Sequence, residues 1–355
     1  MPTEAKMPAN GRMRAAMRKW ASAAAWTLVA ATGSGCSSFL YGQTGAVMSG
    51  YAGDHMVPYL LADDDVGMAC QMGASLTGFV GSFERVADRP DLPVLVSYVG
   101  AGMCAEDVAR EAELRQARAV RAGQATEARD AALAGERAHL DAARRFYRAW
   151  QRAEAHFGEL GKAGCPTIAE DERVSYLLGL SAGMMAVMHD RGARGAAGVP
   201  TAIPPKVARA AACLDDKAWW GVPSALAAAV WMTVPGSGPA DRKPQDVLAS
   251  AAATGDAAGV RLSRALQVIA LAGAGDEAGM REAIAAHGAA LAAKAPPARW
   301  RLLDAYATLL TRHHADLVWT REAGHRAPTT GLGEMPAKAA RPSADDESVL
   351  DGIGE

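Results

Sequence analysis

Gly135–Leu160 reads GERAHLDAARRFYRAWQRAEAHFGEL and decides the fold of this chain. Apolar side chains recur there, and just before it, at steps of three and four residues, which is the period of one helical face. This stripe comprises Leu133, Leu140, Ala143, Tyr147, Trp150 and Phe157. Arginine and acidic side chains fill the positions between them. The stretch therefore predicts a long amphipathic helix whose wide apolar face must be covered by partner helices.

The composition favours helix over sheet. Half of the 355 residues are hydrophobic, alanine is abundant, and no extended run of valine, isoleucine and threonine occurs. With 37 basic and 39 acidic residues the formal net charge is −2, so no strong positive field would attract nucleic acid. We predict a chain without a nucleic-acid partner, long enough for one large helical domain or two smaller ones.

The start of the chain has the organisation of an export signal. Basic side chains precede Trp20–Thr32, which is uncharged and too short to span a bilayer. The Ser-Gly-Cys sequence that ends at Cys36 is similar to the end of a bacterial lipobox, although Gly33 stands where leucine is usual. We predict a lipoprotein signal peptide at 1–35 and lipidation of Cys36. A plain secretory signal and a retained membrane-tethering helix are the alternatives.

The rest of the chain is predicted as a succession of helices. Residues 36–53 form a small-residue tether, and Asp63–Asp65 cap the first long helix. Within the helical domain at 54–326, the loop at 190–205 is the candidate boundary between two halves. Residues 327–355 are predicted as a disordered tail. The predicted helices are Val66–Val86, Leu92–Ala122, Glu127–Leu160, Asp171–His189, Pro205–Leu214, Pro223–Thr233, Gln245–Ala253, Ala258–Ala272, Glu277–Ala293 and Ala298–Glu322.

Paired helices joined by short turns are typical of repeat proteins. We therefore predict an all-α fold, organised as an α-solenoid of antiparallel helical hairpins like a degenerate tetratricopeptide repeat. The repeat period is irregular, so the hairpins are inferred from the helix limits and not from a consensus motif.

Cysteine positions favour two disulfides. If Cys36 is lipidated, four cysteines remain in an oxidising compartment, and they allow three pairings. Cys70 and Cys104 lie on consecutive helices and come level if those helices are antiparallel. Cys165 and Cys213 flank one helix. We predict Cys70–Cys104 and Cys165–Cys213, with four buried free thiols as the alternative.

Short motifs do not indicate catalysis. Gly179–Gly183 matches G-x-S-x-G, but it lies inside an apolar helical run and not between a strand and a helix, so it predicts close helix packing. Gly273–Gly275 is predicted as a turn, because no strand precedes this partial dinucleotide fingerprint. His313 and His314 have no third ligand at helical spacing and are expected on the surface. We predict no catalytic residue, metal site or cofactor.

Aromatic side chains supply the candidate binding residues. Most of them have helical spacing and are expected in the core. Trp219 and Trp220 are adjacent at a turn, where both side chains cannot point inward from one helix face. One of them is therefore expected to line a groove or a partner surface. The candidates for ligand or partner binding are Tyr147, Trp150, Trp219, Trp220 and Trp231.

Several long stretches resemble a known family. They are the leader with Cys36, DRPDLPVLVSYVGAG at Asp88–Gly102, ARRFYRAWQRAEAHF at Ala143–Phe157, YLLGLSAGMMAVMHD at Tyr176–Asp190, ACLDDKAWWGVPSALAA at Ala212–Ala228 and LDAYATLLTRHHADLVW at Leu303–Trp319. In order and character they resemble the T component associated with bacterial TRAP transporters (TatT), over most of Asp54–Ala327. Pro235–Pro239 replaces the Gly-Gly-Asp-type loop that is usual in that family.

The resemblance implies a periplasmic lipoprotein, at the outer membrane, that forms a homotrimer of tetratricopeptide-like subunits. It also implies docking of a periplasmic solute-binding protein and transfer of a small organic or hydrophobic ligand to a permease. We expect a non-enzymatic binding and scaffold protein. The alternative is an envelope-assembly adaptor that holds a protein or peptide on its hairpins, and a third hypothesis is an enzyme of unfamiliar helical fold.

Overall fold

A computed structural model describes residues 39–85, 91–234 and 236–336, and within these ranges the protein is all-helical with no β-strand. The α-helices are α1 (Val57–Leu61), α2 (Val66–Ser82), α3 (Asp91–Arg121), α4 (Ala125–Phe157), α5 (Arg173–Gly192), α6 (Ile203–Ala211), α7 (Val222–Thr233), α8 (Pro244–Ala258), α9 (Leu262–Gly273), α10 (Glu277–Ala293) and α11 (Arg301–Ala323). Each predicted helix is present, with limits shifted by a few residues. The predicted lipidation site Cys36 lies outside the described residues.

The predicted tether is helical in its described part. Residues 39–51 form an N-terminal helix, which continues through a π-helical turn at Ala52–Met56 into α1. Gly45 and Ala52 are buried, and the π-helical turn packs against α3. The expectation of an irregular tether is therefore wrong for this part of the chain.

The long hairpin of α3 and α4 forms the centre of the fold, and α5 packs against α4 on its other side. The buried face of α4 is narrower than predicted, and most of its side chains are smaller than those of the predicted stripe. Trp150 and Ala143 are buried as expected, but Leu133 is exposed, and Leu140 and Tyr147 are only partly buried. The buried residues of α4 are Ala131, Gly135, Ala138, Ala142, Ala143, Phe146, Ala149, Trp150 and Ala153. Small side chains therefore bring the three helices together, with Trp150 and Phe146 filling the remaining space.

Both predicted disulfides are present. Cys70–Cys104 joins α2 to α3 with the two Cα atoms 5.0 Å apart. Next to it, a Cβ atom added at Gly73 would lie 2.7 Å from the Cα of Gly100, so the two helix backbones touch. Antiparallel packing on either side of the turn brings these cysteines level, as the sequence predicted.

The second disulfide, Cys165–Cys213, has a Cα–Cα distance of 5.4 Å and ties the loop before α5 to the end of α6. The nearby 190–205 segment is also ordered by hydrogen bonds. The Asp190 carboxylate accepts from the backbone N–H groups of Ala197 and Val199, at 2.8 and 3.0 Å. One hydrophobic cluster includes residues on both sides of this segment.

A fully buried arginine organises the second half. Arg261, just before α9, is 0% exposed, and its Nη1 donates to Asp304 Oδ2 of α11 at 2.5 Å. Its Nη2 donates to the carbonyl oxygens of Ala290, at 2.8 Å, and of Lys294. The guanidinium thus satisfies carbonyl groups at the end of α10 while it pairs with α11. Arg261 therefore connects the start of α9, the end of α10 and α11.

The C-terminal helix returns to the N-terminal half. α11 packs against α9 and α10 on one side and against α3 on the other. After α11, residues 327–336 fold back: Leu332 is buried, and Trp319 Nε1 donates to the carbonyl oxygen of Glu334 at 3.1 Å. This part of the predicted disordered tail is therefore packed, because Leu332 covers apolar side chains of α10 and α11.

One helix of the described ranges, α3, is long and apolar enough to cross a membrane by length and composition. More than half of that stretch, 56%, is buried inside the fold, against α2, α4 and α5. Its apolar character is accounted for by its position in the core.

Replacement of Trp150 tests whether the α4 stripe is core. Trp150 is 1% exposed and packs on Gly183 of α5, so we expect Trp150→Ala to lower the free energy of unfolding by about 3–5 kcal/mol. Urea unfolding measures this change. The control, Trp231→Ala, removes a partly exposed indole and should cost less. A loss below about 1 kcal/mol for Trp150→Ala would contradict the packing of this helix.

Candidate functional site

A cavity between the helices has a volume of about 780 Å³. Its walls are mainly apolar, and methionines are prominent among them: Met184, Met185, Met188 and Met280. Val120, Arg191 and Arg321 also line it and are exposed, so they mark its mouth. Flexible methionine side chains adapt to apolar ligands of different shape. A cavity of this size and lining accommodates a small organic molecule.

Alternate helices supply most of the cavity wall. Side chains of α3, α5, α7, α9 and α11 line it, whereas α4 and α8 contribute none. α6 and α10 reach it only near their N-terminal ends, through Pro204, Glu277 and Met280. The contact of α11 with α3 brings the last of these helices beside the first. That contact closes one side of the cavity.

Buried polar side chains make the contact between α3 and α11. Glu106 Oε2 of α3 accepts a hydrogen bond from the Tyr306 hydroxyl at 2.6 Å and pairs with Arg110 at 2.9 Å. Two turns further along α3, Glu113 Oε2 lies 2.6 Å from His313 Nε2. Both contacts join residues 200 positions apart in the chain.

Two further histidines connect the two carboxylates. Glu113 Oε1 lies 2.9 Å from His139 Nε2, and His139 Nδ1 lies 2.8 Å from His189 Nδ1. His189 Nε2 is 3.4 Å from Glu106 Oε1. We call Tyr306, Glu106, His189, His139, Glu113 and His313 the Glu–His chain. It links four helices, α3, α4, α5 and α11, through side chains alone.

Hydrogen positions along the Glu–His chain follow from its acceptors. An ionised carboxylate only accepts hydrogen bonds, so the Nε2 atoms of His139 and His313 carry hydrogen and donate to Glu113. Between His139 Nδ1 and His189 Nδ1, one nitrogen donates and the other accepts.

Both carboxylates are stabilised in the ionised form. Burial by itself would raise the pKa of Glu106, but the charge of Arg110 and the contacts with His189 and Tyr306 lower that pKa from 4.5 to about 2. Burial also opposes ionisation of Glu113, yet hydrogen bonds from His139 and His313 hold its pKa well below the usual range. The buried charge of Glu106 and the partly buried charge of Glu113 are thus compensated by directed donors and by Arg110.

The polar end of the cavity is formed by Glu113, His313 and His314. Burial, followed by the nearby charge of His313, lowers the pKa of His314 to about 4. His314 is therefore neutral at pH 7 and offers one donor and one acceptor. The expectation that His313 and His314 lie on the surface is wrong, because α11 packs against α3 and faces the cavity.

None of the five predicted binding residues lines the cavity. Tyr147 is partly buried and Trp150 is core, while Trp231 lies under the guanidinium of Arg242, at 5.6 Å from the ring centroid. The adjacent Trp219 and Trp220 are both buried, which contradicts the expectation that one of them lines a groove.

The backbone explains how both tryptophans are buried. Trp220 has a left-handed conformation with φ of +57°, so Trp219 and Trp220 do not follow one helix face. Their rings lie 6.0 and 5.0 Å from the ring of Trp300, just before α11. The aromatic cluster is a packing unit between the α6–α7 turn and the start of α11.

Two other sequence interpretations are confirmed, the capping role of Asp65 and the helical position of Gly179–Gly183. Asp65 caps α2 by accepting from the Met68 backbone N–H at 2.8 Å. Gly179–Gly183 lies inside α5, where Ser181 donates to the carbonyl oxygen of Leu177 at 2.9 Å. Within the ranges that the structure describes, no group of three or more histidine, cysteine, aspartate or glutamate side chains is arranged to hold a metal ion.

Comparison with protein-family models, curated proteins and solved structures finds no match to this chain.

The ionisation of Glu106 makes stability depend on pH. Its pKa is lower in the folded chain than the unperturbed 4.5, so its contribution is complete above about pH 4.5 and is lost as the pH falls towards 2. That contribution is about 3 kcal/mol. Glu106→Gln should remove this part of the pH dependence and leave Arg110 with only its 3.5 Å contact to the exposed Asp107, which costs about 3–5 kcal/mol at pH 7.

Urea unfolding between pH 2 and pH 7 measures both effects for Glu106→Gln. Glu159→Gln is the control, because Glu159 is exposed beside Lys206 and should leave the curve near that of the unmodified protein. Parallel curves for Glu106→Gln and the unmodified protein would contradict the assignment of this titration to Glu106.

Proposed function

We propose that the protein is a non-enzymatic binding component of a TRAP-type transport system that holds a small organic, mainly hydrophobic ligand. The cavity of about 780 Å³ carries this proposal. Its volume lies in the range of small-molecule sites, and its methionine-rich wall suits an apolar molecule. Glu113 and His314 provide a polar end that orients a ligand with one hydrogen-bonding group.

The arrangement of helices supports a solenoid-like architecture as part of this proposal. In tetratricopeptide-like arrays one helix of each hairpin faces the concave side, and the neighbouring helix lies behind it. The alternation of α3, α5, α7, α9 and α11 in the cavity wall fits this arrangement. The short turns, such as the one between α3 and α4, fit the predicted antiparallel hairpins.

The proposed location is the periplasmic face of the outer membrane, with Cys36 as the lipidated residue. The charged start of the chain and the apolar stretch before Cys36 support export. The pairs Cys70–Cys104 and Cys165–Cys213 support an oxidising compartment. In this location the protein docks a solute-binding protein, receives its ligand and passes the ligand to a permease. A homotrimer is the expected assembly.

The envelope-adaptor alternative predicts a different binding surface. An extended peptide needs a long open groove or an exposed sheet edge. The described structure instead offers a space whose wall closes where α11 meets α3. We therefore favour a small ligand over a peptide as the molecule that is held.

Filling the cavity tests ligand binding. N-phenylnaphthylamine, an uncharged apolar fluorophore, should bind the purified protein at one saturable site. Ala229 is partly exposed in the cavity wall, so Ala229→Trp should weaken this binding about tenfold or more by occupying the space. Ala253→Trp places the same indole at an exposed position of α8 outside the cavity and should leave binding unchanged.

Fluorescence titration and circular dichroism measure binding and folding of both variants. Equal binding by Ala229→Trp and the unmodified protein, with both folded, would show that the probe does not enter the cavity. That result would remove the basis of the proposed ligand site.

The transport role has its own test. Affinity-tagged protein purified from membranes of the native organism should recover a solute-binding protein or a permease subunit, and Ala229→Trp should still recover it because the exterior is unchanged. Recovery of neither component after mild cross-linking would refute the assignment to a transport system, whatever the outcome of the titration.

A further inference from the structure

The N-terminal helix, residues 39–51, exposes its large apolar side chains. Phe39 is 66% exposed, Val47 is 68% exposed and Tyr51 is 57% exposed. We define the outward face of this helix as Phe39, Leu40, Tyr41, Val47, Met48 and Tyr51, all of which are exposed. A folded protein surface rarely carries so many large apolar side chains on four turns of helix unless they meet a partner.

The opposite side of the same helix consists of small residues. Gly42, Gly45, Ser49 and Ala52 recur at steps of three and four, and all are at least partly buried. The helix is thus inverted relative to an ordinary surface helix, which buries its large apolar residues and exposes polar ones. Its packing against the fold leaves the outward face free for a different environment.

Charge is also unusual in this region. Residues 39–53 contain no charged side chain, and the first lysine or arginine after residue 38 is Arg85. Apart from the tyrosines, the only exposed polar side chains of this helix are the uncharged Gln43 and Thr44, whereas the rim of a protein interface is generally rich in polar and charged groups. Aromatic residues such as Tyr41 and Tyr51 are favoured at the boundary between hydrocarbon and water. These features favour a bilayer over a protein as the partner.

The N-terminal helix begins close to Cys36 in the chain, which limits its distance from a membrane-inserted lipid on that residue. Cys36, the lipidation site in the proposed function, precedes Phe39 by only three residues. Three residues span at most about 11 Å even when fully extended. An acyl chain on Cys36 would therefore hold the start of this helix at the headgroup region, within reach of the hydrocarbon.

We propose that the N-terminal helix lies in the membrane interface with its outward face in the bilayer, as a second attachment beside the lipid on Cys36. This inference rests on the lipoprotein assignment made in the proposed function. Since no basic residue is available, apolar burial supplies the attraction, and anionic headgroups add nothing. The helix would fix how the whole cavity-bearing fold is oriented at the membrane surface.

Vesicle flotation tests the second attachment without the lipid. The mature chain from residue 36, carrying Cys36→Ser, is mixed with phosphatidylcholine vesicles. We expect it to float with the vesicles, equally at low and high salt and without gain when phosphatidylglycerol is included. Val47→Ser/Tyr51→Ser should lower the bound fraction roughly tenfold or more, because it removes the centre of the outward face.

The matched control is Val108→Ser/Leu133→Ser, which removes two exposed apolar side chains of α3 and α4 and should float like the parent. Circular dichroism checks that all variants are folded. Parent protein that stays with the soluble fraction would overturn the proposal. So would self-association in sedimentation that Val47→Ser/Tyr51→Ser abolishes, because the face would then join copies of the chain.

This test separates the two proposals. If the mass of the protein from native membranes shows no lipid on Cys36 while the Cys36→Ser chain still floats, the lipoprotein assignment fails and the interfacial helix is supported. Binding of N-phenylnaphthylamine in the same samples does not depend on vesicles. Loss of flotation with intact probe binding therefore refutes only the membrane-facing helix.

Discussion

The cavity depends on the contact between α11 and α3. Tyr306 and His313 of α11 reach Glu106 and Glu113 of α3, and Arg110 compensates the buried negative charge. A carboxylate buried as deeply as Glu106 is tolerated only with several donors around it. The polar contact is therefore specific in register, because a shift of α11 by one turn would remove the Tyr306 donor from Glu106 and the His313 donor from Glu113. An apolar contact would not impose such a penalty, because methionine and leucine adapt to small displacements.

Much of the fold could be predicted from local patterns. Helix limits follow from proline, glycine and capping residues, and the α10 limits, Glu277–Ala293, agree with the structure. The disulfide Cys70–Cys104 follows from antiparallel packing of neighbouring helices. The buried face of α4 was harder to predict, because large residues dominate a hydrophobic pattern. On α4, alanine and glycine make most of the contacts with the neighbouring helices. Their small size determines how closely those helices approach.

The candidate site could not be read from local patterns. Glu113 and His313 are ordinary members of two charged helices, and 200 positions separate them in the chain. Only the return of α11 to α3 reveals that they pair. The tryptophans were misleading for the opposite reason. Trp219 and Trp220 stand out in the sequence, but the left-handed backbone at Trp220 lets both of them pack against Trp300. Neither effect is visible without the tertiary contacts.

The helices that line the cavity alternate along the chain with helices that pack behind them. The cavity wall contains no side chain of α4 or α8, although some lining residues, such as Ala270 of α9, also pack against α8. In the proposed ligand-binding role, substitution of lining residues outside these shared contacts, such as Gln116 and Val120 of α3, changes ligand preference and preserves the scaffold. The same arrangement favours engineering: a designer can rewrite the inner wall for a new cargo and leave both disulfides and the Arg261 clamp untouched.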